Sequence, residues 1–207
     1  MGFYTRCILP KLMDRALGLP SYADQRRLVL SMATGDTLEI GFGTGRNLPY
    51  YPKAIDRLTV LEPNTGMHQM AARRIAESHI DVRTIPLDAS RVFPFTAESF
   101  DTVICTWTLC SIRDVRTALA EIQRVLKPGG KFLFAEHGLS PNPCVAAWQR
   151  RLTPLQRCLA DGCRLDRPIA ELIRQSPLKL AECVEFYLPK VPRFGGYTYR
   201  GVAMKGG

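Results

Sequence analysis

Three glycines, Gly41, Gly43 and Gly45, follow directly on the apolar run Thr37 to Ile40 in the stretch TLEIGFGTGRNLPYYP. Glycine has no Cβ, so its backbone can approach a ligand closely, and a glycine loop between a strand and a helix is a natural floor for a nucleotide. The spacing here is GxGxG, not the GxGxxG that aims a helix at a pyrophosphate. Glu62 stands 17 residues beyond Gly45 at the end of the next apolar run, where a carboxylate can accept from both hydroxyls of a ribose. Asp88 comes just after the third run, in LDAS, where it can meet the exocyclic amine of an adenine while the Ala89 backbone donates beside it.

For these residues to meet, successive strands must end on the same side. Short β-like runs alternate with longer runs of helical spacing, the pattern of a parallel sheet with helices on both faces. Strands are expected at Thr37 to Ile40, Leu58 to Glu62, Val82 to Ile85, Thr102 to Thr106 and Lys131 to Glu136. Helices are expected at Met67 to Glu77 and Thr117 to Leu126, the second with Ala118, Ile122 and Val125 on one face and a stop at KPGG. Further on, Asn142 to Arg174 reads as helical pieces broken by Pro154, Gly162 and Pro168, followed by strands Leu178 to Leu188 and Tyr197 to Met204. The first forty residues read as one or two helices, with Ser21 a cap for Tyr22 to Met32. Glu39, the glycines, Glu62 and Asp88 then fall at the carboxyl ends of successive strands, where open α/β sheets bind ligands.

This arrangement resembles the class I S-adenosylmethionine-dependent methyltransferases over roughly Asp36 to Glu136. Their acidic glycine loop matches EIGFGTG, their ribose carboxylate Glu62, and their adenine-contacting acid Asp88, while FDTVICTW and LKPGG match the fourth strand and the turn before the fifth. The resemblance implies an α/β, Rossmann-like, seven-stranded, mostly parallel sheet with an antiparallel C-terminal strand and helices on both faces. It also implies S-adenosylmethionine as cofactor, S-adenosylhomocysteine as product, and Asn47, Pro63, Met67 and Thr106 beside the residues above as cofactor contacts. The cofactor has no phosphate to neutralise, which suits a loop that departs from the pyrophosphate spacing.

VICTWTLCSI, AEHG, WQRRLTPL, DGCRLDR and the ending YTYRGVAMK are similar to one branch of that superfamily, the membrane-associated alkyl-thiol methyltransferases and their bacterial relatives. DGCRLDR is the most distinctive piece. The branch opens on a hydrophobic anchor that this sequence does not show, which leaves membrane attachment and the acceptor open. The resemblance implies an S-methyltransferase, with an N- or C-methyltransferase of a phospholipid head group or quinone-like molecule as the alternative. Where amino-methylating relatives carry an NPPY-type tetrapeptide, CTWT stands.

Thiol methylation needs a thiolate, and a basic pocket around Arg164, Arg167 or Arg200 would favour one. His137, at the end of the fifth strand, is the expected catalytic proton acceptor. Trp107, Cys110, Trp148, Cys163 and Tyr197 complete the expected acceptor lining, with Asp161 pairing Arg164 or Arg167 to shape a lid.

At 207 residues, 46% apolar and 23% charged, a single domain is expected: a helical cap over 1–35, a cofactor-binding core over 36–137, and an acceptor-side insertion with the final hairpin over 138–207. The formal charge of +9 is spread along the chain without a block of consecutive basic residues, so it predicts no specific nucleic-acid partner. Seven cysteines without a CxxC pair argue against a disulfide framework and a zinc ribbon, and no metal is expected. No apolar run reaches the roughly 18 residues of a spanning helix. A cytoplasmic protein acting on a small molecule is expected, with peripheral membrane contact through the basic start ILPKLMDRALG left open.

Overall fold

A computed structural model describes residues 2–206. Seven strands form one sheet in the order β3-β2-β1-β4-β5-β7-β6. They are β1 (Thr37–Ile40), β2 (Arg57–Leu61), β3 (Asp81–Ile85), β4 (Phe100–Thr106), β5 (Leu126–His137), β6 (Leu178–Tyr187) and β7 (Tyr197–Lys205). The first five pair in parallel, and β7 lies antiparallel between β5 and β6. The chain runs outward from β1 to β3 and then returns to place β4 beside β1, and a crevice opens at such a reversal.

Period-two alternation sends neighbouring residues of one strand into opposite cores. Val103, Cys105, Phe132 and Phe134 pack with Ala118, Leu119 and Ile122 of α4 (Val115–Val125) and Ile169 and Ile173 of α6 (Ile169–Arg174). Ile104, Leu133 and Ala135 face the other way, toward Val29 and Leu30 of α2 (Pro20–Leu30) and Ala71 of α3 (Thr65–Glu77).

Three local expectations need correction. Helix α2 begins at Pro20 with Leu19 at its cap and no side-chain hydrogen bond there, so proline's fixed φ, not Ser21, sets the start. Pro154 does not interrupt α5, which runs unbroken from Pro143 to Leu159, with the Thr153 hydroxyl bonded to Gln149 O inside it. The chain turns only after Leu159, where Asp161 and Gly162 both take positive φ. KPGG lies within β5 instead of before it: Leu126 already pairs with Phe100, and the register shifts before Lys131 meets Thr102, with Gly129 at a φ of 75°.

Ahead of α2, a π-helical turn at Tyr4–Ile8, whose Thr5 O accepts from Asn64 Nδ2 at 2.9 Å, leads into α1 (Leu9–Ala16), which lies across the carboxyl ends of the strands. Among the described residues, no helix is long and apolar enough to cross a membrane.

Candidate functional site

A cleft of about 860 Å³ opens where β1, β2 and β4 end. Its floor is the glycine loop. Gly41 has a φ of 75°, and a Cβ there would overlap the Thr108 side chain, so its glycine lets the loop after β4 lie against the end of β1. Gly43 is different. Its φ is 56°, yet a Cβ would meet nothing within 4 Å, and the residue lines the cleft: the space a side chain would fill is left to a ligand. Gly45 is a packing glycine, with Phe42, Ala71 and Leu48 at 3.3–3.5 Å from where a Cβ would stand.

Glu62 sits immediately beyond β2, almost fully buried, accepting from Gly43 N at 2.8 Å and Asn64 N at 2.9 Å. Burial pushes its carboxyl above the usual range, against those two N–H donors. Asn64 caps α3 through Gly66 N at 2.9 Å, and Pro63 and Met67 join the cleft wall. Asp88 and Ala89 form the next stretch of wall, the Asp88 carboxylate holding its own loop through Ser90 N at 2.8 Å.

Glu39 spends its oxygens within the protein. They accept from Asn47 Nδ2 at 2.8 Å and Tyr51 Oη at 2.6 Å, and burial pushes the carboxyl up to about 8. Asn47 in turn meets Thr106 Oγ1 at 3.0 Å and accepts from Arg26 Nε at 3.0 Å, so Glu39 and Asn47 brace the glycine loop against β4.

The other side of the cleft is the turn after β4. Trp107 takes a φ of 50° and packs edge-on against Tyr22, ring centroids 4.9 Å apart, beneath the Arg26 guanidinium. Two buried charges grip this turn from opposite directions. Glu136 accepts from Thr108 N at 2.8 Å and Leu109 N at 3.0 Å, and Arg167 donates to Leu109 O and to Ile112 O, the latter at 2.7 Å. Below it, His137 Nε2 lies 3.1 Å from Cys163 Sγ, which lies 3.7 Å from Cys110 Sγ. Burial alone would depress His137, but the Cys163 thiol and Glu136 hold it above its ordinary value. These three residues sit behind the cleft wall and not in it.

Arg164 lines the cleft and pairs with Asp166 at 3.2 Å, so the lid pair expected with Asp161 is made with Asp166 instead. Trp148 is exposed on α5 beside Val145, Leu152, Arg193 and Phe194, outside the cleft. Tyr197 is also elsewhere, packed between Tyr187 and Tyr199 and donating to Glu185 at 2.9 Å. Arg200 donates to Gln25. Sequence reasoning missed Ser111, Arg113, Arg157 and Cys158, all on the wall, and Leu9, Met13 and Leu17, which roof it. The roof is fastened by Asp14, which accepts from Thr44 Oγ1 at 2.6 Å, Arg46 Nη2 at 2.7 Å and Arg74 Nη1 at 2.9 Å. Burial would raise that carboxyl, but these donors hold it at about 2. At the other end Tyr4 Oη donates to Leu159 O at 2.8 Å.

An open α/β sheet with a ligand cleft at its topological reversal, a glycine floor and a carboxylate at each of two strand ends is the architecture of a nucleotide-binding fold. Residues 38–134 match the methyltransferase domain model. That stretch, just under half of the chain, is a methyltransferase domain. The chain is 38% identical over 133 residues to the thiol S-methyltransferase TMT1B of Rattus norvegicus, covering 63% of this chain and 54% of that one. It therefore spans about half the length of that relative. It is 30% identical over 169 residues to a phthiotriol/phenolphthiotriol dimycocerosates methyltransferase of Mycobacterium tuberculosis, covering 80% of this chain and 60% of the relative. In fold it is similar to the N-methyltransferase NodS of Bradyrhizobium japonicum WM9 in complex with S-adenosyl-L-homocysteine, with a TM-score of 0.68 at 19% identity over 97% of this chain and 93% of that one.

Proposed function

We propose that this chain transfers a methyl group from S-adenosylmethionine to a small, largely apolar thiol. The observation that carries the reading is the asymmetry of the cleft beneath its apolar roof: carboxylates bound to backbone N–H groups on one side, the arginines Arg113, Arg157 and Arg164 on the other. The thiol methyltransferase relative supports the choice of acceptor.

On the first side Glu62 would hold the ribose hydroxyls, Asp88 and Ala89 the adenine, and the Gly43 backbone the methionine portion, with Thr106, Pro63 and Met67 closing around them. When bound, the cofactor supplies an electrophilic methyl group on a sulfonium. Alignment is then most of what the protein must provide, and well-oriented reactants can gain about 7–11 kcal/mol from it. On the second side, a free thiol of pKa about 8.5 is only a few per cent ionised at neutral pH. Arg113, Arg157 and Arg164 favour the thiolate there. His137 acts through Cys163, which its Nε2 faces, and not by touching an acceptor in the cleft. Leu9, Met13 and Leu17 exclude water from the transfer.

The test is methyl transfer from labelled S-adenosylmethionine to a panel of alkyl thiols, phosphatidylethanolamine vesicles, a quinol analogue and a long-chain alcohol. Transfer to thiols alone is expected. Transfer to vesicles or to the alcohol, with thiols untouched, overturns the thiol reading. It would support a second one, a lipid-like acceptor, which the mycobacterial relative and the apolar roof favour.

A further inference from the structure

We propose that Cys110, His137 and Cys163 hold a zinc ion whose fourth coordination position opens toward the acceptor side of the cleft. The three residues come from separate elements, the turn after β4, the end of β5 and the turn after α5, and their ligand atoms all lie within 4.8 Å of one another. In a tetrahedral site with Zn–S near 2.3 Å and Zn–N near 2.0–2.1 Å, two sulfurs stand about 3.8 Å apart and a nitrogen and a sulfur about 3.5 Å apart. The Cys110–Cys163 separation of 3.7 Å is close to the first spacing, and the His137–Cys163 separation of 3.1 Å is shorter than the second, so an ion would open that contact slightly.

The donor set also selects the ion. Two sulfurs and an imidazole suit zinc and reject magnesium and calcium, which take oxygen ligands. Two thiolates and a neutral imidazole balance a dication, so the buried site carries no net charge.

One ligand has outer partners that fix it, while His137 Nδ1 is buried without a hydrogen-bond partner. Glu136 and Arg167 clamp the turn that carries Cys110. Three protein ligands leave a fourth position, as in catalytic rather than structural zinc sites. Ser111 points the way out. Its Oγ lies 3.6 Å from Cys110 Sγ, and Ser111, Gly162 and Arg164 all line the cleft. An acceptor thiol ligated there would lose its proton to solvent and stay a thiolate at neutral pH. This last step rests on the thiol reading above; the ion itself does not.

The test uses the full chain, purified without chelator from zinc-supplemented medium. One zinc per chain by elemental analysis is expected. After exchange, cobalt(II) should give a sulfur-to-cobalt charge-transfer band and the visible bands of a tetrahedral ion. Cys163→Ser and His137→Gln should weaken cobalt binding by more than the roughly 10–100-fold that loss of an outer partner costs. Both should bind S-adenosylmethionine within about twofold of the parent protein, since the sites share no ligands. Parent protein that holds no zinc, or binds cobalt without the thiolate band, overturns the site, and this needs no variant to fold. Adding an alkyl thiol to the cobalt form should shift its bands. Thiols that are methylated without moving those bands overturn the open position. Shifted bands with no methylation would instead overturn the thiol reading and leave the ion standing.

Discussion

The two sides of the cleft are built on different principles. On the cofactor side the carboxylates are already engaged: Glu62 by Gly43 and Asn64, Asp88 by Ser90, Glu39 by Asn47 and Tyr51. On the acceptor side Arg113 and Arg157 line the cleft and make no ion pair among the described residues, while the turn that leads into Arg113 is clamped by Glu136 and Arg167. A cofactor shared by many enzymes can be met by a fixed surface; a particular acceptor is met by long side chains on loops. The difference teaches where substitutions should separate cofactor binding from acceptor chemistry.

The largest effect is expected from Glu62→Ala. It removes the carboxylate and leaves the Gly43 and Asn64 N–H groups without their acceptor, so cofactor binding should weaken by about 2–3 kcal/mol, roughly 30–150-fold. Calorimetric titration with S-adenosylhomocysteine checks it, and unchanged affinity would remove Glu62 from the site. Gly43→Ala comes next. Its Cβ meets no protein atom, so the fold should lose only the roughly 1–2 kcal/mol that a positive φ costs a non-glycine residue. Cofactor affinity should fall by about tenfold or more because the methyl group enters the ligand's space. A normal affinity in a stably folded variant would move the cofactor away from this loop.

Arg157→Ala should act on the other side only. Removing one exposed cation from the cleft is worth about 1 kcal/mol, so kcat/KM for a thiol should drop by about fivefold. The pH at which the rate rises should move up, because the acceptor thiolate forms less readily, while cofactor affinity stays within about twofold. An equal loss in cofactor affinity would erase the distinction between the two sides.

Legibility in the sequence follows the same division. The glycines, Glu62 and Asp88 could be read because their signal is local: a strand end, a turn and a carboxylate in one short stretch. The central strands were legible for a related reason, since a parallel strand buried on both faces shows as a continuous apolar run such as Val103 to Cys105. Arg113 and Arg157 were not, because an arginine on a helix or turn looks like any solvated cation until the fold brings Ser111 and α5 to one wall. Trp148 and Tyr197 were misplaced in the opposite sense: aromatic type suggested a ligand pocket, whereas one is exposed on α5 and the other packs among tyrosines. The three-residue cluster of Cys110, His137 and Cys163 has members 27 and 26 positions apart, a spacing that no short metal motif resembles.

The smallest expected effect joins the two sides, because the roof formed by α1 covers both. Asp14 fastens it to the glycine loop through Thr44 and Arg46 and to α3 through Arg74. Its carboxyl is held at about 2 in the folded chain against an ordinary 3.8, so its contribution is present above pH 3.8 and is lost as pH falls toward 2. After allowance for solvent screening that contribution is about 1 kcal/mol. Asp14→Asn should therefore lower stability by about that amount at pH 7 and by less near pH 2–3, measured by denaturant unfolding across the range. Because Leu9, Met13 and Leu17 ride on the same segment, the variant should also admit water to both halves of the cleft, raising KM for cofactor and acceptor together. A rise confined to the acceptor would place the roof on one side only and assign it to acceptor selection.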